Sequence, residues 1–236
     1  MSRAARHKQK GRAYEQREQW TRAIVEYEAA VDTAKRSGEE VDLALYNRIG
    51  DLYRRTGDVN RAVSYYEAAA EAHMAAGFYN NAIALCNKIL RSMPNRHSVH
   101  LKLGKIGAAK GFLQDARKHF LEYAEHMQRS GQLDKAFAAL IEFADLSPDP
   151  EVRLMISDQL LEQGREDRAV EQLRLAWRDL VRDGRESDAR AVRERIVARV
   201  PDRDPEIHPP EPEAMPAGIE AEGVVDLPEL EPYPYA

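Results

Sequence analysis

The sequence has little cysteine and few aromatic residues. Cys86 is the only cysteine among 236 residues, so the chain has neither an internal disulfide framework nor a cysteine-based metal site. Aromatic residues make up 7% of the chain, and runs of Val, Ile and Thr are scarce, which argues against a β-sheet. Apolar residues still reach 43%, enough to bury a sizeable core. The composition therefore predicts an all-helical protein, with Cys86 as a small buried residue.

Long apolar runs and common catalytic motifs are missing as well. Nowhere do roughly 18 apolar residues occur in succession, and the basic start MSRAARHKQKGRAYEQ has no apolar run of signal-peptide length. We therefore expect no membrane span and a cytoplasmic location. The strings GxxxxGK[ST], GxGxxG, HExxH and GxSxG do not occur either. The chain is predicted not to be an enzyme and to bind no cofactor.

Five sequence markers recur three times along the chain. The stretch from Ala44 to Pro94 matches the rest when it is shifted by 54 and then by 53 residues. The markers are two glycines, two alanines and a proline: Gly57, Gly111 and Gly164; Gly77, Gly131 and Gly184; Ala62, Ala116 and Ala169; Ala82, Ala136 and Ala189; Pro94, Pro148 and Pro201. Apolar residues between them recur at helical spacing, three helices to a copy. The chain is predicted to be a repeat protein.

The first part of the chain is a shorter version of this unit. Residues 4–37 indicate one helical hairpin with a break near Gln19, in which Ala23 corresponds to Ala62. The distance of 39 residues between these alanines leaves no room for the third helix. One two-helix unit and three three-helix units together predict about eleven helices over residues 4–201.

These segments resemble tetratricopeptide repeats, which are pairs of antiparallel helices about 34 residues long. A unit that starts at Leu43 places the residues of the family pattern in register: Tyr46, Ile49, Gly50, Tyr53, Gly57, Ala62, Tyr66 and Ala69. A second frame starts at Val63, so the helix from about Asn60 to Ala76 is predicted to belong to two successive hairpins. The third unit departs from the pattern at Arg153, Ser157 and Arg193. The resemblance implies a right-handed α-solenoid.

In this family the first helices of successive hairpins line a groove that holds a peptide or a helix. The resemblance therefore implies a protein or peptide partner and suggests the groove residues Asn47, Asp51, Arg54, Arg55, Leu101 and Lys105. Binding of the C-terminal carboxylate of chaperones is not predicted, because Asp51 and Leu101 stand where that clamp has asparagine. Gly50 and Ala62 are expected where two helix backbones cross, since larger side chains would separate them.

Two polar clusters are candidate sites of chemistry. His119, Glu122 and His126 share one helical face, but the equivalent residues of the other units are not metal ligands, so no metal site is predicted. His97 and His100 are expected to face solvent or to pack. The basic residues of the chain start, from Arg3 to Arg12, form an ordinary solvated helix, and no nucleic-acid partner is expected.

The sequence changes character after Pro201. Residues 202–236 hold eight of the twelve prolines and have a net charge of −9, so the net charge of −5 leaves +4 on residues 1–201. This tail is predicted to be disordered. The stretch VVDLPELEPYPY within it alternates apolar and acidic residues, which is typical of a segment that orders on a partner; its candidate contacts are Asp226, Leu227, Leu230, Tyr233 and Tyr235. A solubilising tail or a linker explains the same composition.

Two functional hypotheses follow from the sequence. In the first, residues 4–201 form an interaction scaffold or adaptor that binds a partner segment in the groove. In the second, the chain is a subunit of a larger complex, tethered by its acidic tail. The partner-binding residues of the first hypothesis lie in the helices, whereas those of the second lie beyond Pro201.

Overall fold

A computed structural model describes residues 1–207 and Pro210. Within these residues the chain forms eleven α-helices and one short 3-10 helix, with no strand. The α-helices are α1 Arg3–Gln16, α2 Trp20–Ser37, α3 Leu43–Arg55, α4 Val59–Ala75, α5 Tyr79–Ser92, α6 Ser98–Ala109, α7 Leu113–Arg129, α8 Leu133–Leu146, α9 Pro150–Glu162, α10 Glu166–Arg182 and α11 Glu186–Val197. The predicted helix count and the all-helical class are confirmed.

The helices pack in chain order, as the sequence repeat predicts. Helices α1 and α2 form the two-helix unit, and α3–α5, α6–α8 and α9–α11 form the three-helix units. Packing is most extensive within a unit and smaller where α2 meets α3, α5 meets α6 and α8 meets α9. The apolar core accordingly runs along the whole array and is not gathered at one centre. This is an α-solenoid, in which each unit buries its apolar face against its neighbours.

The turns inside the units share one hydrogen-bond pattern. At the end of α3, Gly57 has a φ of 88°, and its N–H donates to the carbonyl of Arg54 at 3.2 Å. The N–H of Asp58 donates to the carbonyl of Tyr53 at 2.9 Å, which completes a Schellman motif. The other five turns within the three-helix units also have a glycine with φ between 68° and 76°. The turn glycines therefore recur because each turn needs a left-handed residue.

The turn between α1 and α2 has the same hydrogen bonds but no glycine. Glu18 occupies the left-handed position with a φ of 57°, and the N–H of Gln19 donates to the carbonyl of Tyr14 at 2.9 Å. A residue with a Cβ pays a steric cost of about 1 kcal/mol or more in this conformation. The first turn is therefore less favourable than its counterparts.

We predict that Glu18→Gly raises the free energy of unfolding. Relief of the left-handed conformation outweighs the entropy that glycine adds to the unfolded chain, for a net gain of about 0.5–1 kcal/mol. Urea denaturation followed by circular dichroism measures the change. Gly57→Ala is the control and should lower stability by about 1 kcal/mol. A loss of stability in Glu18→Gly would contradict this account of the turn.

The first two helices of a unit cross with almost no space between them. A Cβ atom at Gly50 would lie 2.6 Å from the ring of Tyr66 and 3.2 Å from the carbonyl oxygen of Ala62. In the second unit a Cβ at Gly104 would lie 2.7 Å from the ring of Phe120. Ala62 itself is fully buried. The predicted crossing of two backbones at Gly50 and Ala62 is confirmed.

A larger side chain at this crossing should destabilise the fold. We expect Ala62→Leu to lower the free energy of unfolding by about 1–3 kcal/mol, because the added carbons force α3 and α4 apart. The matched control is Ala75→Leu, on the same helix but exposed. Chemical denaturation of both variants measures the difference. Equal stabilities for the two would show that Ala62 has room around it.

The third unit replaces an aromatic residue with a buried arginine. Arg153 and Asp179 are both fully buried, and the Nε of Arg153 donates to Asp179 at 3.0 Å. The same guanidinium donates to the side chain of Gln172 at 3.2 Å and to the carbonyl of Ala144 at 2.9 Å. The departure at Arg153 therefore introduces a polar network that joins α8, α9 and α10.

Removing one partner of this network should destabilise the fold, whereas replacing both partners with apolar residues should not. We predict that Asp179→Leu lowers the free energy of unfolding by about 3–5 kcal/mol, since it leaves a buried arginine short of its charge partner. The double variant Arg153→Met/Asp179→Leu should recover most of that loss. Equilibrium unfolding of the single and double variants measures the recovery. A double variant as unstable as the single one would contradict the prediction.

The described chain continues beyond the boundary predicted at Pro201. Pro201–Arg203 forms the 3-10 helix, and the carboxylate of Asp204 accepts two hydrogen bonds from Arg193 of α11 at 2.8 and 2.7 Å. Glu206 also pairs with Arg193, at 2.8 Å. The arginine that replaces the family aromatic therefore holds the first acidic residues of the tail. The tail contacts suggested by the sequence, from Asp226 to Tyr235, lie outside the described residues.

Candidate partner-binding surface

Two of the predicted groove residues belong to one polar cluster. Asn47 and Asp51 lie one turn apart on α3, and the ammonium of Lys88 on α5 donates to both, at 2.9 Å in each case. The hydroxyl of Tyr66 on α4 donates to the same Asp51 oxygen at 2.7 Å. We call these four residues the α3–α5 polar cluster. It links all three helices of the unit, and sequence reasoning missed both Lys88 and the role of Tyr66.

Burial sets the chemistry of the side chains in this unit. Burial, followed by the hydrogen bond to Asp51, raises the pKa of Tyr66 far above its ordinary value, so Tyr66 remains a neutral donor. Burial also raises the pKa of Cys86 to about 11, which keeps its thiol protonated at neutral pH. Neither group is activated as a nucleophile. Both stabilise the packing of the unit.

The ion pair between Asp51 and Lys88 recurs in every three-helix unit. The repeat shift places Lys105 and Glu142 at the equivalent positions, 2.7 Å apart, and it places Asp158 and Arg195 there in the third unit. The acid lies on the first helix in two units and on the third helix in the middle unit. We call these six residues the ion-pair row: Asp51, Lys88, Lys105, Glu142, Asp158 and Arg195.

The ion-pair row is exposed enough to meet a partner. Its side chains are between 29% and 57% exposed, so each pair contributes only about 0–1 kcal/mol to stability. The repeat shift that relates the turn glycines also relates these residues. Each unit has one acidic and one basic residue at this pair of positions, a signal in the sequence that could have revealed the ion pairs.

The remaining predicted residues have different surroundings. Arg54 and Arg55 are exposed in the last turn of α3, and the guanidinium of Arg55 lies 4.0 Å from the centre of the Trp20 ring. Lys105 belongs to the ion-pair row, and Leu101 packs partly buried against the second apolar cluster. Leu101 and Arg55 therefore have packing contacts, and Arg54 is exposed beside Tyr66. Partner binding by these residues stays a prediction.

Comparison with known protein families identifies the repeats. Two models described as tetratricopeptide repeat match residues 43–73 and residues 68–128. Residues 43–128 contain tetratricopeptide repeats. The two matches overlap at residues 68–73, within α4, which agrees with the prediction that this helix belongs to two successive hairpins. Beyond residue 128 the same unit continues in α8–α11 by the repeat shift.

Two solved structures illustrate the similarity of this chain to known proteins. A tetratricopeptide repeat protein from Parabacteroides merdae is 15% identical, with 83% of this chain and 92% of that one covered and a TM-score of 0.27. MamA AMB-1 is 17% identical, with coverages of 74% and 90% and a TM-score of 0.24. No curated protein matches the chain. Among the described helices, none has both the length and the apolar character needed to span a bilayer.

Proposed function

We propose that this chain is a non-catalytic scaffold that binds an acidic segment of a partner protein beside the C-terminal turn of α3. Tetratricopeptide repeats generally serve protein–protein interaction. The proposal is carried by the exposed pair Arg54 and Arg55, in the last turn of the helix that also supplies Asn47 and Asp51. The net charge of +4 on residues 1–201 favours an acidic partner as well.

The surroundings of Arg55 suit it to recognition. Its guanidinium stacks on Trp20, and stacking restricts the side chain while leaving N–H groups at the edge of the plane for a carboxylate. Arginine binds carboxylates through two parallel hydrogen bonds, which gives geometric specificity. Packing does not require this pair, because the equivalent residues of the other units are Ala108 and Ala109, then Leu161 and Glu162. The basic pair is a feature of one unit, as a specific binding site requires.

The test is affinity capture with the full-length chain, read by mass spectrometry, followed by measurement of the affinity for the recovered protein. We expect Arg54→Glu/Arg55→Glu to weaken binding at least about tenfold, or ~1.4 kcal/mol, while circular dichroism stays unchanged. The matched control is Arg17→Glu/Arg36→Glu, which reverses the same charge at the ends of α1 and α2. Equal binding by the two double variants would contradict the proposed site.

A second candidate function is that of an assembly subunit tethered by its acidic tail. It is favoured by the net charge of −9 on residues 202–236 and by the contacts of Asp204 and Glu206 with Arg193. A chain that ends after Ile207 keeps those contacts and removes the rest of the tail. Loss of the partner on this truncation would favour tethering, whereas retained binding would favour the α3 surface. Tighter binding would indicate that the tail itself competes for the arginines.

A further inference from the structure

Four histidines and one glutamate gather on one side of the hairpin of α6 and α7. His97 precedes α6 and His100 lies in its first turn, while α7 supplies His119, Glu122 and His126. The sequence suggested the α7 residues as one set of three. The structure regroups them, because His126 stacks on His97 whereas His119 and Glu122 converge on His100. The set that converges includes a residue from another helix, which helical spacing alone does not reveal.

Three ligand atoms meet within this group. The Nδ1 atoms of His100 and His119 lie 3.3 Å apart, and Nδ1 of His100 lies 3.2 Å from Oε2 of Glu122. The distance from Nδ1 of His119 to the same oxygen is 4.0 Å. In a tetrahedral zinc site with bonds of about 2.0–2.1 Å, ligand atoms lie roughly 3.3 Å apart. Two of the three distances already have this value, and a small rotation of Glu122 gives the third.

We propose that His100, His119 and Glu122 bind one Zn²⁺ ion, with the fourth coordination position open to solvent. Two imidazoles and one carboxylate are a donor set that zinc uses in proteins when it keeps an open position. The site stands apart from the proposed acidic-segment surface, which lies on α3, so neither proposal depends on the other. It differs from the sequence-based expectation that this region binds no metal.

The exposed fractions of the three side chains suit them to act as zinc ligands. His100 is 12% exposed and His119 is 26% exposed, so surrounding atoms restrict both rings. Glu122 is 47% exposed and retains freedom to turn toward the ion. Rigid imidazoles with one adjustable carboxylate allow the ion to enter from solvent. Water or a side chain of a partner protein can supply the fourth ligand.

The equivalent positions of the other units show that the fold imposes the contact and the side chains determine its chemistry. His100 and His119 correspond to Tyr46 and Tyr65 in the first unit, whose ring centres lie 6.4 Å apart. In the third unit they correspond to Arg153 and Gln172, which share a hydrogen bond of 3.2 Å. The two residues therefore meet in every three-helix unit. In the second unit both are metal ligands, and a carboxylate lies beside them.

The experiment is a titration of the full-length chain, stripped with a chelator, with Zn²⁺ alone at pH 7.5. We expect one ion per chain by calorimetry, and we expect His100→Ala and His119→Ala each to weaken binding at least about tenfold. Glu122→Gln preserves the size of an exposed side chain, so it tests the carboxylate without threatening the fold. Co²⁺ in place of Zn²⁺ should give the visible absorption bands of a tetrahedral site, and these bands should be absent in His100→Ala.

Two controls make the outcome decisive. His126→Ala removes a neighbouring histidine outside the proposed ligand set, and His73→Ala removes one on α4. Both variants should bind Zn²⁺ with an affinity within about threefold of that of the original chain. Loss of a ligand should lower the affinity by more than this. The proposal is overturned if the original chain binds no Zn²⁺, if Glu122→Gln binds as tightly as the original, or if His126→Ala loses as much affinity as His119→Ala.

Discussion

The close crossing of the first two helices in each unit is the constraint on which the rest of the structure depends. At Gly50 the backbone of α3 lies so near α4 that a Cβ atom would overlap the ring of Tyr66. This proximity allows the Tyr66 hydroxyl to reach Asp51, which also binds Lys88 on α5. The first three-helix unit is therefore held by one steric requirement and one polar cluster that the crossing brings together. Where the third unit has Ser157 in place of the glycine, the buried network of Arg153 accompanies the change.

Local features of this fold were predictable from the sequence because each depends on a few adjacent residues. A left-handed turn needs glycine at Gly57 and its counterparts, and a backbone crossing needs small residues such as Ala62, so both requirements appear as repeated letters. The same reasoning gave the helix count and the three-helix unit. Among the described turns within the units, the one between α1 and α2 deviates, because Glu18 takes the left-handed conformation without being a glycine.

The polar sites could not be predicted in the same way, since their partners are far apart in the chain. Lys88 contacts Asp51 across 37 residues, and His100 meets His119 across 19. Helical spacing relates residues on one helix, so it grouped His119 with His126 and left His100 out. The position of Arg54 and Arg55 in the last turn of α3 was readable from the sequence, but the stacking of Arg55 on Trp20 required the fold. The position of the arginine pair was therefore predictable from the sequence, whereas the grouping of the zinc ligands was not.

Repetition separates structural residues from functional candidates in this molecule. Every three-helix unit must satisfy the same packing, so a residue that differs between equivalent positions is not explained by the packing that the units share. The pair of positions that holds Tyr46 and Tyr65 holds two histidines in the second unit and an arginine with a glutamine in the third. In the third unit that arginine is fully buried and joins three helices, which is a structural reason for the change. In the second unit His119 and Glu122 remain partly exposed. Their ligand atoms converge although this unit has no buried charge, like that of Arg153, that they would neutralise. The proposed zinc site gives a functional reason for that arrangement, which the packing shared by the units does not supply.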